Sequence, residues 1–460
     1  MIVHVQNLGQ IKDASLELRP LTVILGPNNT NKTYLAYSLY GILRLLIPGR
    51  NAPKGDAIGR PTDDGWEFGP AGSVVQQCQS AILTASREFS SAMGAYFADR
   101  RNELFAKCHV EITITDTELM RACEAARATF NAPDGKGVYI LDTSGGAVRL
   151  RADSQEEGVR TVAPLTEQDL ARAWSLPMVA MLFSAIPRPF ILPAERNALA
   201  ITYKALIGER SRFVGNARGS NVDAGLAGRL GLSVELPFRY PAPVEDFVQF
   251  LYDAESMTPP PWERDYPAIA SEIERNVQDS NKTIYRRAGT GKELAVKIPM
   301  GPTIGLHNAS SSIKQLAPLL LYLRYRAQEA DLLIIDEPEL DLHPEAQAKM
   351  VEVLAILVNS GINVMAITQS PYIMQHLNNL RHEHLPDETA RKRMARHLFL
   401  KDPKAFLLAK DVAAYEMRDN TLKPLEDPDY GVRWDTLSDI SVELQDKYFR
   451  VTEARDARTR

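Results

Sequence analysis

LTVILGPNNTNKTY, Leu21 to Tyr34, is the stretch whose reading decides the fold. Leu21 to Leu25 is a short apolar run that predicts a buried strand. Gly26 and Pro27 then turn the chain, Asn28, Asn29, Thr30 and Asn31 extend the turn, and Lys32-Thr33 open a helical pattern through Leu35, Leu39, Ile42 and Leu43. Strand, loop and helix in this order form a phosphate loop: backbone N–H groups at a helix start face an anion, a lysine adds a point charge, and a hydroxyl serves Mg²⁺. Gly26 to Thr33 are therefore the candidate nucleotide-binding residues, with Thr33 also a candidate metal ligand. One position departs from G-x-x-x-x-G-K-[ST]: Asn31 stands where glycine is expected. Asparagine is the side-chain-bearing residue that best tolerates the left-handed backbone such a loop requires.

Outward from the loop, residues 1–25 alternate like a small β-meander. The helix after the loop runs to about Pro48. Residues 49–70 are rich in Gly, Pro, Asp and Arg and predict an exposed loop. A helix is expected from Ser73 to about Lys107, strands at 109–115 and 137–151, and a helix from Thr166 to Ile186. Residues 49–186 thus make an inserted α/β, largely helical domain, since the stretch far exceeds an ordinary connection. PFILPA, Pro189 to Ala194, returns to strand. The segment from Thr202 to Ser233 has few apolar anchors and predicts a surface loop. Helices are expected at 241–253 and 267–277, and two strands at 282–299.

DLLIID, Asp331 to Asp336, followed by Glu337-Pro338-Glu339, is an apolar strand ending in carboxylates. This is a Walker B pattern: Asp336 helps hold Mg²⁺ and Glu337 orients and deprotonates water. A general base of this kind contributes about 10²–10⁴-fold, so its presence points to hydrolysis. Ser310, Ser311 and Ser312 stand before a helix of about 313–330, offering hydroxyls and free N–H groups to an anion or simply capping the helix. Pro318 fits that helix only near its first turns. Another buried strand, Ile362 to Ile367, ends in Thr368-Gln369-Ser370.

Composition bounds the function classes. The chain has 460 residues, 45% hydrophobic and 24% charged, enough for two or three domains or one with a large insertion. Net charge is −5, so no global basic field argues for nucleic acid. The three cysteines lack metal-ligand spacing and fit a reducing compartment. No apolar run is of membrane-spanning length and no signal-peptide pattern is present, so a cytoplasmic location is expected.

GPNNTNKTYLAYSLY, FILPAERNAL, ASSSIKQLAPLLLYL, LLIIDEPELDLHPEAQ and NVMAITQSPYIMQHLNNL together resemble the ABC-type ATPase domains of the OLD/RecF/SMC branch. Within it they resemble the stand-alone AAA-family ATPases of bacterial antiphage systems of the Septu or PARIS type. The resemblance implies an ABC-type P-loop NTPase with a split core: 1–48 with Walker A, an insertion at 49–186, 187–380 with signature and Walker B, and a C-terminal α/β tail at 381–460. It implies ATP and Mg²⁺ as cofactors, Ser310 to Ser312 as the signature that meets the γ-phosphate of an opposite subunit, and Asp341 in the D-loop. It further implies a homodimer or higher homo-oligomer with ATP sandwiched, a separately encoded effector such as a nuclease, and a nucleic-acid or phage trigger. Gln369 stands where relatives carry a switch histidine. Glutamine hydrogen-bonds but cannot become charged, so nucleotide binding with slow hydrolysis is expected, with Glu337 and Gln369 as catalytic residues. Two alternatives stand beside this reading: a RecF/SMC-like DNA-repair ATPase and an OLD-like nuclease. The tail holds a basic run at Arg391-Lys392-Arg393 and an acidic turn at 426–429, which fit a solvated helix face and a turn.

Overall fold

The computed structural model describes residues 1–47, 60–62, 65–99, 101–125, 129–131, 138–143, 147–152, 181–182, 184–214, 240–259, 265–289, 291–427, 431–433 and 442–452. The expected loop at 49–70 lies outside the described residues at 49–59 and 63–64 and is strand, not loop, at Arg60–Thr62 and Gly65–Pro70; most of the helix at 166–186 and the end of the acidic turn at 428–429 lie outside them. The chain divides into two compact units.

One unit comprises residues 10–36, 190–216 and 243–460. Its sheet runs in the order Arg188–Leu192, Asp331–Asp336, Asn363–Thr368, Leu21–Leu25, Val412–Arg418, Thr421–Pro424, Ile11–Glu17. Strands Leu21–Leu25 and Asp331–Asp336 are buried at every position. Such continuously buried, mainly apolar runs are the signature of parallel strands covered on both faces, and these strands are parallel. Asp336 stands beside Ile367, Thr368 beside Leu25, and Leu25 beside Glu416. The register therefore brings the carboxyl ends of four strands to one edge, where open α/β sheets bind ligands.

Val412–Arg418 comes from the stretch that the sequence reading places in the C-terminal tail, yet it pairs along the whole phosphate-loop strand. It also sets a steric limit on the loop. Gly26 has φ +153, and a Cβ there would lie 2.9 Å from the Met417 carbonyl oxygen. Gly26 is required by both its backbone and its neighbour.

Two helices of this unit differ from expectation. The helix Ser311–Tyr325 starts two residues before the expected 313, ends at Tyr325 and not at 330, and carries Pro318 in its interior. Pro318 is therefore not confined to the first turns; its missing N–H deprives the Lys314 carbonyl of its intrahelical donor, a cost set against the burial of residues 315–323. The segment after Asn197 is helical, Arg196–Val214, rather than loop; residues 215–239 lie outside the described residues. Arg391 to Arg393 fall on the short helix Glu388–Ala395, where Lys392 and Arg393 are exposed and Lys392 pairs with Glu388 at 2.6 Å. Glu426 of the acidic turn binds Arg19 at 2.9 Å.

The other unit comprises residues 1–9, 37–189 and 217–242. Ile2–Leu8 pairs antiparallel with His109–Thr113. A separate antiparallel sheet orders Arg60–Thr62, Gly65–Pro70, Ala147–Ala152, Val138–Asp142 and Thr129–Asn131. The long helix Ala71–Tyr96 buries Val75, Cys78, Ile82, Phe89 and Met93 of the stripe its periodicity predicts, with Val74 beside them, while Leu83 of that stripe is exposed. It ends well before Lys107. Ala98 adopts φ +58, Ala98 N donates to Ala95 O, and Asp99 N donates to Gly94 O. This is a Schellman stop with alanine where glycine is usual, which is why composition does not announce it. Tyr96 and Phe89 pack so tightly on Gly41 that a Cβ there would fall 2.5 Å from both rings. Among the described residues no helix is long and apolar enough to cross a membrane.

Candidate functional site

The phosphate loop closes onto a helix, Lys32–Leu46, whose first turn has no acidic residue. Nothing there competes for an anion at the N-terminus. Asn29 and Asn31 both have φ +62, the left-handed geometry for which asparagine is the least costly ordinary residue. Asn31 thus adopts the backbone of the glycine it replaces, and its Nδ2 is buried without a hydrogen-bond partner. Lys32 is only 6% exposed. Its Nζ donates to Gly26 O at 2.8 Å, Pro27 O at 2.6 Å and Thr30 Oγ1 at 3.3 Å. Burial lowers the Lys32 pKa, opposed by the carboxylates of Asp336, Glu337 and Glu339.

Across 303 residues of sequence, Thr33 Oγ1 donates to Asp336 Oδ2 at 2.7 Å. A hydroxyl and a carboxylate held together beside a loop of backbone N–H groups form the hard oxygen donor set that Mg²⁺ takes along with phosphate. The residues present therefore fit Mg²⁺ and a nucleoside triphosphate. Thr33 and Asp336 would hold the metal, and Gly26 to Lys32 would hold the phosphates. Asp336 is almost fully buried, and this pushes its pKa from 3.8 up to about 6; the Glu337 charge adds to the rise, while the Thr33 hydrogen bond and Arg196 oppose it.

A pH dependence follows, with a definite sign. A carboxyl raised to about 6 holds its proton in the folded state below that pH. The associated stability is fully present below the unfolded pKa of 3.8 and is lost as pH rises through about 6. Metal binding runs the opposite way, since it needs the carboxylate. At limiting Mg²⁺, the Mg²⁺-dependent part of ATP affinity is expected to fall roughly tenfold per pH unit below the Asp336 midpoint. Titration calorimetry at pH 5 and 7 checks this, and Asp336→Asn should remove the dependence together with the Mg²⁺ effect.

Glu337 follows the Walker B strand with φ +48, a strained backbone for a side-chain-bearing residue, costing on the order of 1–2 kcal/mol. Gln369 Nε2 donates to Glu337 Oε1 at 2.8 Å. The sensor position thus holds the candidate base with a neutral amide. Glu339 anchors the same loop: its Oε1 accepts from Gln369 N at 2.7 Å and from Thr368 Oγ1 at 2.9 Å. Burial raises the Glu339 pKa.

The signature serines do not join this cluster. Ser310 caps the helix Ser311–Tyr325, accepting from Ile313 N, and its hydroxyl meets Ser312 Oγ at 3.0 Å. Ser310 and Ser311 are exposed. Asp341, also exposed with φ +62, accepts from Asn197 Nδ2 at 2.8 Å.

Sequence reasoning left open what Arg196 does; it is the largest fully buried side chain among the described residues. Its Nη1 donates to Asp336 O at 2.6 Å and Pro193 O at 3.0 Å, its Nη2 to Glu337 O at 2.9 Å, and its Nε to Gln315 O at 3.1 Å. With the Gln315 amide turned oxygen-inward, its side chain accepts from Nη2 at 2.6 Å as well. Burying a guanidinium costs several kcal/mol, which these carbonyls and the surrounding carboxylates offset. Burial lowers its pKa from 12.5 to about 10, against the pull of Asp336, Glu339, Glu337 and Asp341, so it stays charged at neutral pH. The signal available in advance was an arginine directly after an apolar strand, in FILPAERNAL.

Residues 256–374 match the AAA ATPase domain model. The match takes in Ser310 to Ser312, the Walker B strand and Gln369, and the fold adds the phosphate loop from outside it. The fold is that of an ABC-type P-loop NTPase. Among solved structures, the chain is similar to an SMC head bound to the C-winged helix domain of ScpA, with 10% identity over 92% of this chain and 95% of that one, at TM-score 0.36. An SMC head with an extended coiled coil, bound to the C-terminal domain of ScpA from Pyrococcus furiosus, gives 12% identity over 96% and 98%, at TM-score 0.31. The SMC head domain from Thermotoga maritima gives 9% over 94% and 98%, at 0.30. At such low identities and scores, function has to be read from the site residues and the domain match. No curated protein matches the chain.

Proposed function

We propose that this protein binds ATP with Mg²⁺, hydrolyses it slowly, and uses the ATP-bound state to assemble and control a separately encoded effector, a nuclease, in antiphage defence. The observation that carries the ATPase part is the pairing of Thr33 with Asp336 at 2.7 Å beside the Gln369–Glu337 contact at 2.8 Å. One pair is a metal-binding donor set, the other a base held in place. Slow turnover follows from the neutral Gln369, which cannot supply positive charge to a developing phosphate, and from the Asn31 side chain in the loop. Assembly through an ATP-sandwich dimer is supported by Ser310, Ser311 and Asp341. All three are exposed; the Ser310 hydroxyl bonds within its own helix start and Asp341 is tied to Asn197 through one carboxylate oxygen, which leaves these side chains accessible to a second copy. The division into an ATPase core and an insertion at 49–186 belongs to this reading, as does a cytoplasmic location. The defence role and the effector rest on the resemblance in sequence.

The test is ATP turnover together with mass measured by light scattering, with and without Mg²⁺·ATP. Turnover well below the enzyme median of about 10 s⁻¹, with an ATP-dependent doubling of mass, is expected. No ATP binding, or turnover at or above that median, overturns it. Co-expression with a neighbouring nuclease gene then tests effector control, read as an ATP-dependent change in nuclease activity.

A further inference from the structure

Two residues of the loop after the Walker B strand, Glu337 and Asp341, have left-handed backbones, at φ +48 and +62. Each is held by one of two consecutive residues elsewhere in the chain. Arg196 donates to the carbonyls of Asp336 and Glu337, and Asn197 donates to the Asp341 carboxylate. The same guanidinium reaches Gln315 O on the helix that begins with the signature serines. Its Nη1 also closes onto Pro193 O, which fixes the turn from which it projects. These four acceptors are main-chain carbonyls, and the one side-chain acceptor is the Gln315 amide oxygen, so Arg196 acts on the backbone of the acidic loop and leaves the carboxylates of Asp336 and Glu337 free for chemistry.

We propose that Arg196 and Asn197 form a clamp that presets the 336–341 loop for hydrolysis, Arg196 at the base and Asn197 at the D-loop end. They are positioning residues. A left-handed Glu337 is not a backbone the chain would keep unaided. Released, its φ relaxes and the carboxylate leaves Gln369 Nε2, while the phosphate loop, on another strand, keeps its form. The clamp should therefore govern the rate of the chemical step and not ATP affinity. It also ties the loop to the signature helix, so that a shift at the serines reaches the base through a single side chain.

The inference rests on the ATPase reading, and the experiment separates the two. Arg196→Lys, Arg196→Met and Asn197→Ala are compared with wild type for ATP affinity by a fluorescent analogue, for single-turnover hydrolysis, and for amide exchange across 336–342. Expected are affinities within about threefold of wild type and rates lowered on the order of 10–100-fold for the Arg196 variants. Arg196→Lys should recover part of the loss. Asn197→Ala should lower the rate less, with faster exchange at Leu340 and Leu342, whose amides donate to Glu337 O and Glu339 O. Arg196 is buried, so its variants could fail to fold; half-exposed Asn197 keeps the test alive in that case. Wild-type rates in the variants, or affinity lost in proportion to rate, overturns the clamp. A wild-type protein that does not bind ATP overturns the ATPase reading instead, and the exchange measurement still decides whether the clamp holds the loop.

Discussion

Glu337→Gln is expected to lower ATP turnover by about 10²–10⁴-fold while leaving ATP affinity within about threefold of wild type, since the change does not touch the residues that hold phosphate. The substitution is nearly isosteric. A glutamine at 337 keeps a carbonyl oxygen able to accept the Gln369 Nε2 hydrogen bond now made at 2.8 Å, and the Arg196 and Ile367 contacts involve only the main chain of residue 337. What is lost is the ability to take a proton from water. If assembly follows the ATP-bound state, the variant should remain in the larger species after wild type has returned to the smaller one. Rapid-quench turnover and light scattering at matched nucleotide read the two effects independently. Undiminished turnover would move the base away from Glu337.

Lys32→Ala should act at the earlier step. Lys32 Nζ lies buried in the loop, donating to Gly26 O, Pro27 O and Thr30 Oγ1. The lysine thus supplies the charge for phosphate and closes the loop on itself. A charge-assisted hydrogen bond contributes about 1.5–3 kcal/mol, so loss of the ammonium should weaken ATP binding by about 10–100-fold or more. The carbonyls of Gly26 and Pro27 would also lose their donor, which loosens the loop without unfolding the parallel sheet beneath it. Calorimetry should show ATP affinity collapsing, with a melting temperature lowered by only a few degrees. Wild-type affinity in Lys32→Ala would end the assignment of Gly26 to Thr33 as a phosphate site.

These two variants probe residues that were legible from the chain. Leu21–Leu25 and Asp331–Asp336 are short, mainly apolar and wholly buried, and each runs into the polar residues its chemistry needs. Local pattern suffices when strand, turn and functional group are contiguous. The long helix was legible in its buried stripe and not in its end, because Ala98 takes a role that usually advertises itself as glycine. The helix Arg196–Val214 was missed for a related reason: its apolar periodicity is weak. Val412–Arg418 resembles any short apolar run, and only its place beside Leu21–Leu25 makes Met417 the wall against which Gly26 must remain glycine.

The sequence by itself determined the strand–loop–helix, the carboxylates that end the Walker B strand, the glutamine at the sensor position and the asparagine in the phosphate loop. Each is a matter of residue type at short spacing, where propensity and side-chain chemistry act locally. Tertiary structure alone decided that Thr33 meets Asp336, that Gln369 meets Glu337, and that Arg196 holds the turn between them. The first two depend on strand order and register across more than three hundred and on thirty-two residues of chain, respectively. The third depends on main-chain carbonyls. Every residue carries one, so no pattern of side chains could say in advance which of them a buried arginine would satisfy.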